Sequence, residues 1–143
     1  MNTQTATQPA TPAALLASDL AKVYTGTEHW HHLPNLRPAL QYTDGIRALA
    51  NEAGCYWLLE TIAMQAIDQP KFQRGLWIVR MTSRPDNSGL VEIGFDTIGN
   101  GKMINEYGEP SADYSEEIPF TDFPEGVFEF YIENGSMLLK SEY

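Results

Sequence analysis

The spacing of apolar residues changes near Lys71, and this change constrains the fold more than any other feature of the sequence. Before it, apolar side chains recur every three or four residues, which is the period of a helix with one buried face. After it, they alternate one by one, which is the period of a strand. Helices followed by hairpin-connected strands predict a two-layer α+β fold, with N-terminal helices packed on a C-terminal antiparallel sheet built from hairpins.

The helical half contains recognisable start and stop signals. Thr11, followed by a proline, has the residue type of an N-cap, and Thr43 or Asp44 is predicted to cap a second helix. Gly54 interrupts the second pattern as a bend or as a C-cap. The apolar stripe continues beyond it through Trp57, which we expect to be buried against the sheet.

The second half predicts strands and tight turns. Leu76–Met81 is apolar on both faces apart from one arginine, which indicates a central strand. Asn100-Gly101 and Asn134-Gly135 have the residue types of two-residue hairpin turns. The acidic stretch 106–125 has little apolar content, so we expect a long loop there with one edge segment near Ile118–Phe120.

The length and composition fit one domain. The chain has 143 residues, of which 43% are hydrophobic, and this predicts a single α+β domain over residues 11–143. Residues 1–10 have no apolar period and are predicted to be a disordered tail. No apolar run approaches the ~18 residues of a membrane span. The N-terminus also lacks the features of a secretory signal, so we expect a cytoplasmic protein.

Acidic residues are concentrated in the last third of the chain. The net charge is −10, and residues 103–143 hold ten acidic side chains against Lys140 alone. Direct binding to nucleic acid or to an anionic membrane needs the opposite charge, so both are disfavoured. The plain interpretation is an acidic surface that keeps the protein soluble.

The alternative interpretation is a surface that binds a basic protein, such as one that normally binds nucleic acid. Aromatic residues among the carboxylates favour an interface, because aromatic rings are enriched in protein–protein contacts. The predicted partner-binding residues combine both types: Tyr107, Tyr114, Glu116, Glu117, Phe123, Glu129, Tyr131 and Glu133.

A cluster of histidines offers a second hypothesis, a small metal-dependent enzyme. Glu28, His29, His31 and His32 are the candidate ligands, since imidazole and carboxylate groups suit zinc and other first-row ions. Their spacing matches no standard metal motif, because ligands so close in the chain rarely converge on one ion. The other interpretation is an irregular loop with Trp30 anchored in the core.

No catalytic motif stands out elsewhere. Cys55, the only cysteine, lies in an apolar setting and is expected to be a small buried side chain. No serine lies in a nucleophile-elbow pattern. The sequence therefore predicts no catalytic residue and no cofactor, favours a non-enzymatic protein, and leaves the oligomeric state open.

Several segments together resemble a known family. They are Thr25–Glu28, Tyr42–Gly45, Glu52–Gly54 followed by Tyr56–Leu59, Thr121–Pro124 and Ser141–Tyr143. In this order they resemble an uncharacterised family of small bacterial proteins, often carried by plasmids, phages and other mobile elements. The resemblance covers about residues 20–143. It implies no catalytic residues, and it implies an accessory or anti-defence role of the kind that mobile elements carry.

Overall fold

A computed structural model of the protein describes residues 10–33, 40–96 and 102–143. Within these residues the chain forms three α-helices, eight strands and two short 3₁₀ turns. The helices are α1 (Pro12–Val23), α2 (Asp44–Ala53) and α3 (Tyr56–Asp68), and the 3₁₀ turns are Pro70–Gln73 and Lys140–Glu142. None of the helices in the described part of the chain has the length and apolar content that a membrane crossing needs.

The strands form one sheet. They are β1 (His31–His32), β2 (Gln41–Tyr42), β3 (Leu76–Ser83), β4 (Gly89–Asp96), β5 (Met103–Ile104), β6 (Tyr114–Ile118), β7 (Gly126–Glu133) and β8 (Ser136–Leu139). Their order is β1-β2-β8-β7-β3-β4, and β4 then pairs with both β5 and β6. The β2–β8 pair is parallel and the other pairs are antiparallel. The predicted α+β architecture is confirmed.

The helix ends follow from local side-chain chemistry. The hydroxyl of Thr11 accepts a hydrogen bond from the Ala14 amide, and that of Thr43 accepts one from the Ile46 amide. Each threonine thereby satisfies an amide that a helix start leaves without a partner. Gly54 ends α2 with φ 60°, a left-handed conformation in which glycine carries no steric penalty.

One face of the sheet is covered by the helices and holds the core. Strand β3 lies between β4 and β7, as the sequence predicts for Leu76–Met81. Alternate side chains of these three strands, such as Val79, Ile93 and Phe130, pack with residues of α2 and α3 in one buried cluster. The opposite face carries Arg80 and the side chains that alternate with the core residues.

The turn predictions are confirmed where the structure describes them. Asn134 and Gly135 connect β7 to β8 with φ 46° and 87°, the positive values that this hairpin turn requires. Asn100-Gly101 lies outside the described residues. The 106–125 stretch was predicted as a loop with an edge segment near Ile118–Phe120, and this is wrong in position, because residues 114–118 form β6.

Two tryptophan predictions also need correction. Trp57 is partly buried rather than buried, because it lies at the margin of the α3 face that contacts the core. Trp30 is 49% exposed, so it does not anchor its loop in the core. That loop is held instead by hydrogen bonds to α2 and by β1, which pairs with β2 and extends the sheet.

Candidate functional site

Strand β6 lies at an edge of the sheet. It pairs with β4 on one side, and no described strand pairs with its other side. Glu116 and Glu117 are both exposed on it, and their side chains point to opposite faces because they are neighbours in a strand. An unpaired edge presents backbone donors and acceptors to which another extended chain can bind.

Exposed aromatic rings lie on either side of β6 in the chain. Tyr107 is 80% exposed in the loop before the strand, and Phe120 is 66% exposed just after it. Tyr114 packs against the core, and its hydroxyl donates a hydrogen bond to the Glu116 carboxylate. Burial and this bond together raise the pKa of Tyr114. We call the set Tyr107, Tyr114–Ile118, Phe120 and Asp122 the acidic edge.

Part of the acidic charge near this edge is neutralised within the protein. The two oxygens of Glu117 accept hydrogen bonds from the Arg84 guanidinium at 2.9 and 3.1 Å, and these bonds lower the pKa of Glu117. The Lys71 ammonium lies 3.0 Å from carboxylate oxygens of both Glu106 and Asp113. By contrast, Glu116 and the exposed Asp122 form no ion pair with the described residues.

The predicted residues of β7 belong to a different surface. The carboxylate of Glu129 lies 2.5 Å from both the Arg80 and the Lys140 nitrogens. Burial opposes ionisation of Glu129, but the hydrogen bonds from Lys140 and Arg80 lower its pKa nonetheless. Tyr131 packs edge-on against Tyr143, with ring centroids 5.2 Å apart. Glu129 is therefore an internal ion-pair partner rather than an available surface charge.

The structure separates the eight predicted partner-binding residues. Strands β3 and β4 lie between β6 and β7. The predicted residues on β6 are therefore about 14 Å from those on β7. Glu133 shares a face with Glu129 and Tyr131 on β7, whereas Tyr114 and Glu116 occupy the helix-covered side of β6. Phe123 was predicted to lie on the surface, and this is wrong, because it is 4% exposed and packs on a core phenylalanine of β7.

The histidine loop is organised by Asp44, the first residue of α2. Its Oδ1 lies 2.8 Å from His31 Nε2, and its Oδ2 accepts a hydrogen bond from the Glu28 amide at 3.0 Å. The Asp44 amide donates to the Thr27 hydroxyl at 2.9 Å. The hydrogen bonds from His31 and Glu28 lower the pKa of Asp44 to about 2. His29 Nδ1 lies farther away, 3.8 Å from Asp44 Oδ2.

These contacts do not assemble a metal centre in the part of the chain that the structure describes. No group of three or more histidine, cysteine, aspartate or glutamate side chains is arranged there to hold a metal ion. Of the candidate ligands, His31 contacts Asp44 by a hydrogen bond, whereas Glu28 approaches it through its backbone amide. His32 is exposed.

The carboxylate of Glu142 binds residues at the start of α2, although it lies far from them in the sequence. It accepts hydrogen bonds from the Thr43 hydroxyl at 2.6 Å, the Gly45 amide at 3.1 Å and the Leu139 amide at 2.9 Å. A Cβ atom on Gly45 would lie 2.4 Å from Glu142 Oε1, so glycine allows this close approach. The first amides of α2 are thus satisfied by side chains from separate segments.

A polar groove runs beside this helix start. It has a volume of about 300 Å³ and is lined by Tyr24, His29, Asp44, Arg47, Ala48 and Asn51. A second open groove shares Tyr24 and Asp44 with it. Sequence reasoning missed Arg47 and Asn51, although the spacing 44, 47, 48 and 51 marks one face of a helix. It also missed Glu142, although that residue belongs to one of the segments that carry the family resemblance.

Comparison with known proteins identifies the family and no activity. The chain belongs to a family of unknown function, DUF6876, which matches residues 14–143. No curated protein and no solved structure matches the chain.

Proposed function

We propose that the protein is a non-enzymatic protein-binding module whose acidic edge engages a basic partner. The single observation that carries this proposal is strand β6, whose outer side has no pairing strand among the described residues and which carries exposed carboxylates between two exposed aromatic rings. A basic segment that adds to this edge as a further strand would gain backbone hydrogen bonds and charge complementarity together.

Charge on an edge strand also has a protective role, because it prevents the sheets of two identical molecules from pairing. The two roles are compatible at β6. Carboxylates repel a second copy of the same acidic edge and attract an extended segment rich in lysine or arginine. The two exposed rings, Tyr107 and Phe120, favour binding over simple protection, since protection from aggregation requires no exposed aromatic surface.

The finer parts of the proposal follow from charge and from the family resemblance. Proteins that bind nucleic acid present dense lysine and arginine surfaces, so a nucleic-acid-binding protein of the cytoplasm fits the acidic edge. The resemblance to proteins carried by mobile elements supports an accessory or anti-defence role, in which the module would occupy such a protein. A metal-dependent enzyme at Glu28–His32 is supported by no observation in the described residues.

The test uses two matched charge-reversal variants. Glu116→Lys/Asp122→Lys alters the acidic edge, and Glu52→Lys/Glu60→Lys makes the same charge change on exposed, unpaired positions of α2 and α3. Each tagged variant is used to capture proteins from the source cells at about 50 mM and about 500 mM salt, which bracket strong and weak screening of exposed charges.

We expect wild type and the helix variant to capture the same basic protein at low salt and to lose it at high salt. The acidic-edge variant should not capture this protein at either salt concentration. Capture by both variants alike would contradict the proposed site, and capture by wild type that is insensitive to salt would contradict the electrostatic basis of binding.

A further inference from the structure

The groove beside α2 is lined by one basic and one acidic side chain, those of Arg47 and Asp44. The protein is strongly acidic, and most of its described lysine and arginine side chains pair with carboxylates. Arg47 forms no ion pair within the described residues, and it is one of the residues that line the groove. Arg74 also forms none, but it is not among the groove residues.

Two other polar side chains of the groove, those of Asn51 and Asp44, have oxygen atoms that already accept hydrogen bonds within the protein. Asn51 Oδ1 accepts a hydrogen bond from the Tyr56 hydroxyl at 3.1 Å, so its amide nitrogen is left to donate. The carboxylate of Asp44, the one acid lining this groove, already accepts hydrogen bonds from His31 and from the Glu28 amide. The groove therefore combines Arg47 and the Asn51 amide, which lie four residues apart on α2, with the His29 imidazole of the preceding loop.

The backbone amides at the start of α2 are not among the free donors of the groove. The amides of Asp44, Gly45 and Ile46 donate to Thr27, Glu142 and Thr43, respectively. An anion at this position would consequently be held by side chains on the first and second turns of α2 and not by the free amides of a helix N-terminus.

We propose that this groove binds a small ligand bearing a phosphate group, with Arg47 as its principal contact. The guanidinium presents parallel donors that match the oxygens of an oxyanion, and such charge-assisted bonds are the strongest hydrogen bonds in proteins. Donors from both α2 and the His29 loop suit a phosphate better than a carboxylate, because a carboxylate presents only two acceptor oxygens. The volume of about 300 Å³ accommodates a small metabolite.

The test measures binding of inorganic phosphate and of phenyl phosphate by NMR at constant ionic strength. We expect saturable shifts of the His29 ring and the Asn51 amide signals in wild type. Arg47→Gln should weaken binding at least about tenfold, as expected for the loss of a charge-assisted contact. Arg47→Lys should bind with intermediate affinity, because it keeps the charge and loses the fork. Arg74→Gln is the matched control and should bind like wild type.

Acetate distinguishes phosphate chemistry from carboxylate chemistry, and we expect it to bind at least about tenfold more weakly than phosphate. Equal binding of acetate would overturn the phosphate assignment. The absence of saturable shifts in wild type, or equal shifts in Arg47→Gln, would overturn the site itself. Circular dichroism establishes that each variant is folded. The exposed position of Arg47 leads us to expect unchanged unfolding temperatures.

Discussion

Replacing Glu142 with alanine is expected to destabilise the protein, because the carboxylate joins the start of α2 to the end of β8. The substitution removes the acceptor of three hydrogen bonds, from Thr43, Gly45 and Leu139. A hydrogen bond to a charged group contributes about 1.5–3 kcal/mol. Because Glu142 is partly exposed and water replaces part of each bond, we take about 1 kcal/mol for each, which gives a total of about 3 kcal/mol.

The assay is thermal and urea unfolding followed by circular dichroism. A loss of about 3 kcal/mol should lower the unfolding temperature by about 10 °C in a chain of this size. Glu125→Ala is the matched control, since Glu125 is exposed and its carboxylate has no partner among the described residues, and it should change stability by less than about 0.5 kcal/mol. Equal unfolding temperatures for the two variants would refute the role of Glu142.

A double-mutant cycle separates the hydrogen bonds from the close packing at Gly45. Gly45→Ala places a Cβ atom against both Glu142 and the Leu139 side chain, and it should destabilise the wild-type protein. In the Glu142→Ala background one of those clashes is gone, so the same substitution should cost less. Additive effects of the two substitutions would show that these residues do not contact each other.

Two further predictions concern the titratable groups. The folded-state pKa of Asp44 is about 2 against an ordinary value of 3.8, so the stability that its ionisation contributes is present above about pH 4 and is lost as the pH falls towards 2. Between those pH values the Asp44→Asn variant should therefore lose less folding stability than wild type does. Equal losses of stability in the two proteins would contradict the Asp44–His31 contact. Burial raises the pKa of the Cys55 thiol to about 12, so iodoacetamide should leave Cys55 unmodified in the native protein at pH 8 and modify it after unfolding in urea. Rapid labelling of the native protein would show that the thiol is accessible.

The fold class could be predicted because burial on one face imposes a period on the sequence. The apolar pattern around Val79 and Ile93 matches strands with one face in the core, and Asn134-Gly135 has the residue types that its positive φ values require. Strand β6 could not be predicted in this way. It pairs with one neighbouring strand, β4. Because its exposed residues include two glutamates, its sequence lacks the apolar alternation that indicates a strand.

The contacts around α2 depend on residues far apart in the chain. His31 is 13 residues from Asp44, and Glu142 is 97 residues from Gly45. A single sequence shows that these residues are present, but it does not show which of them are in contact in the fold. Phe123 was misassigned for a related reason. It lies among acidic residues in the sequence, but in the fold its carbonyl accepts a hydrogen bond from the Ser83 hydroxyl and its ring packs on Phe128.

The most direct test of the central claim is amide hydrogen exchange of the protein with and without its captured basic partner. The proposal predicts that exchange slows at Tyr114–Ile118 in the complex at low salt, because a partner strand occupies the outer side of β6. At about 500 mM salt this protection should disappear, since the charge attraction is then screened. Unchanged exchange at β6 in a complex that protects another surface would contradict the account.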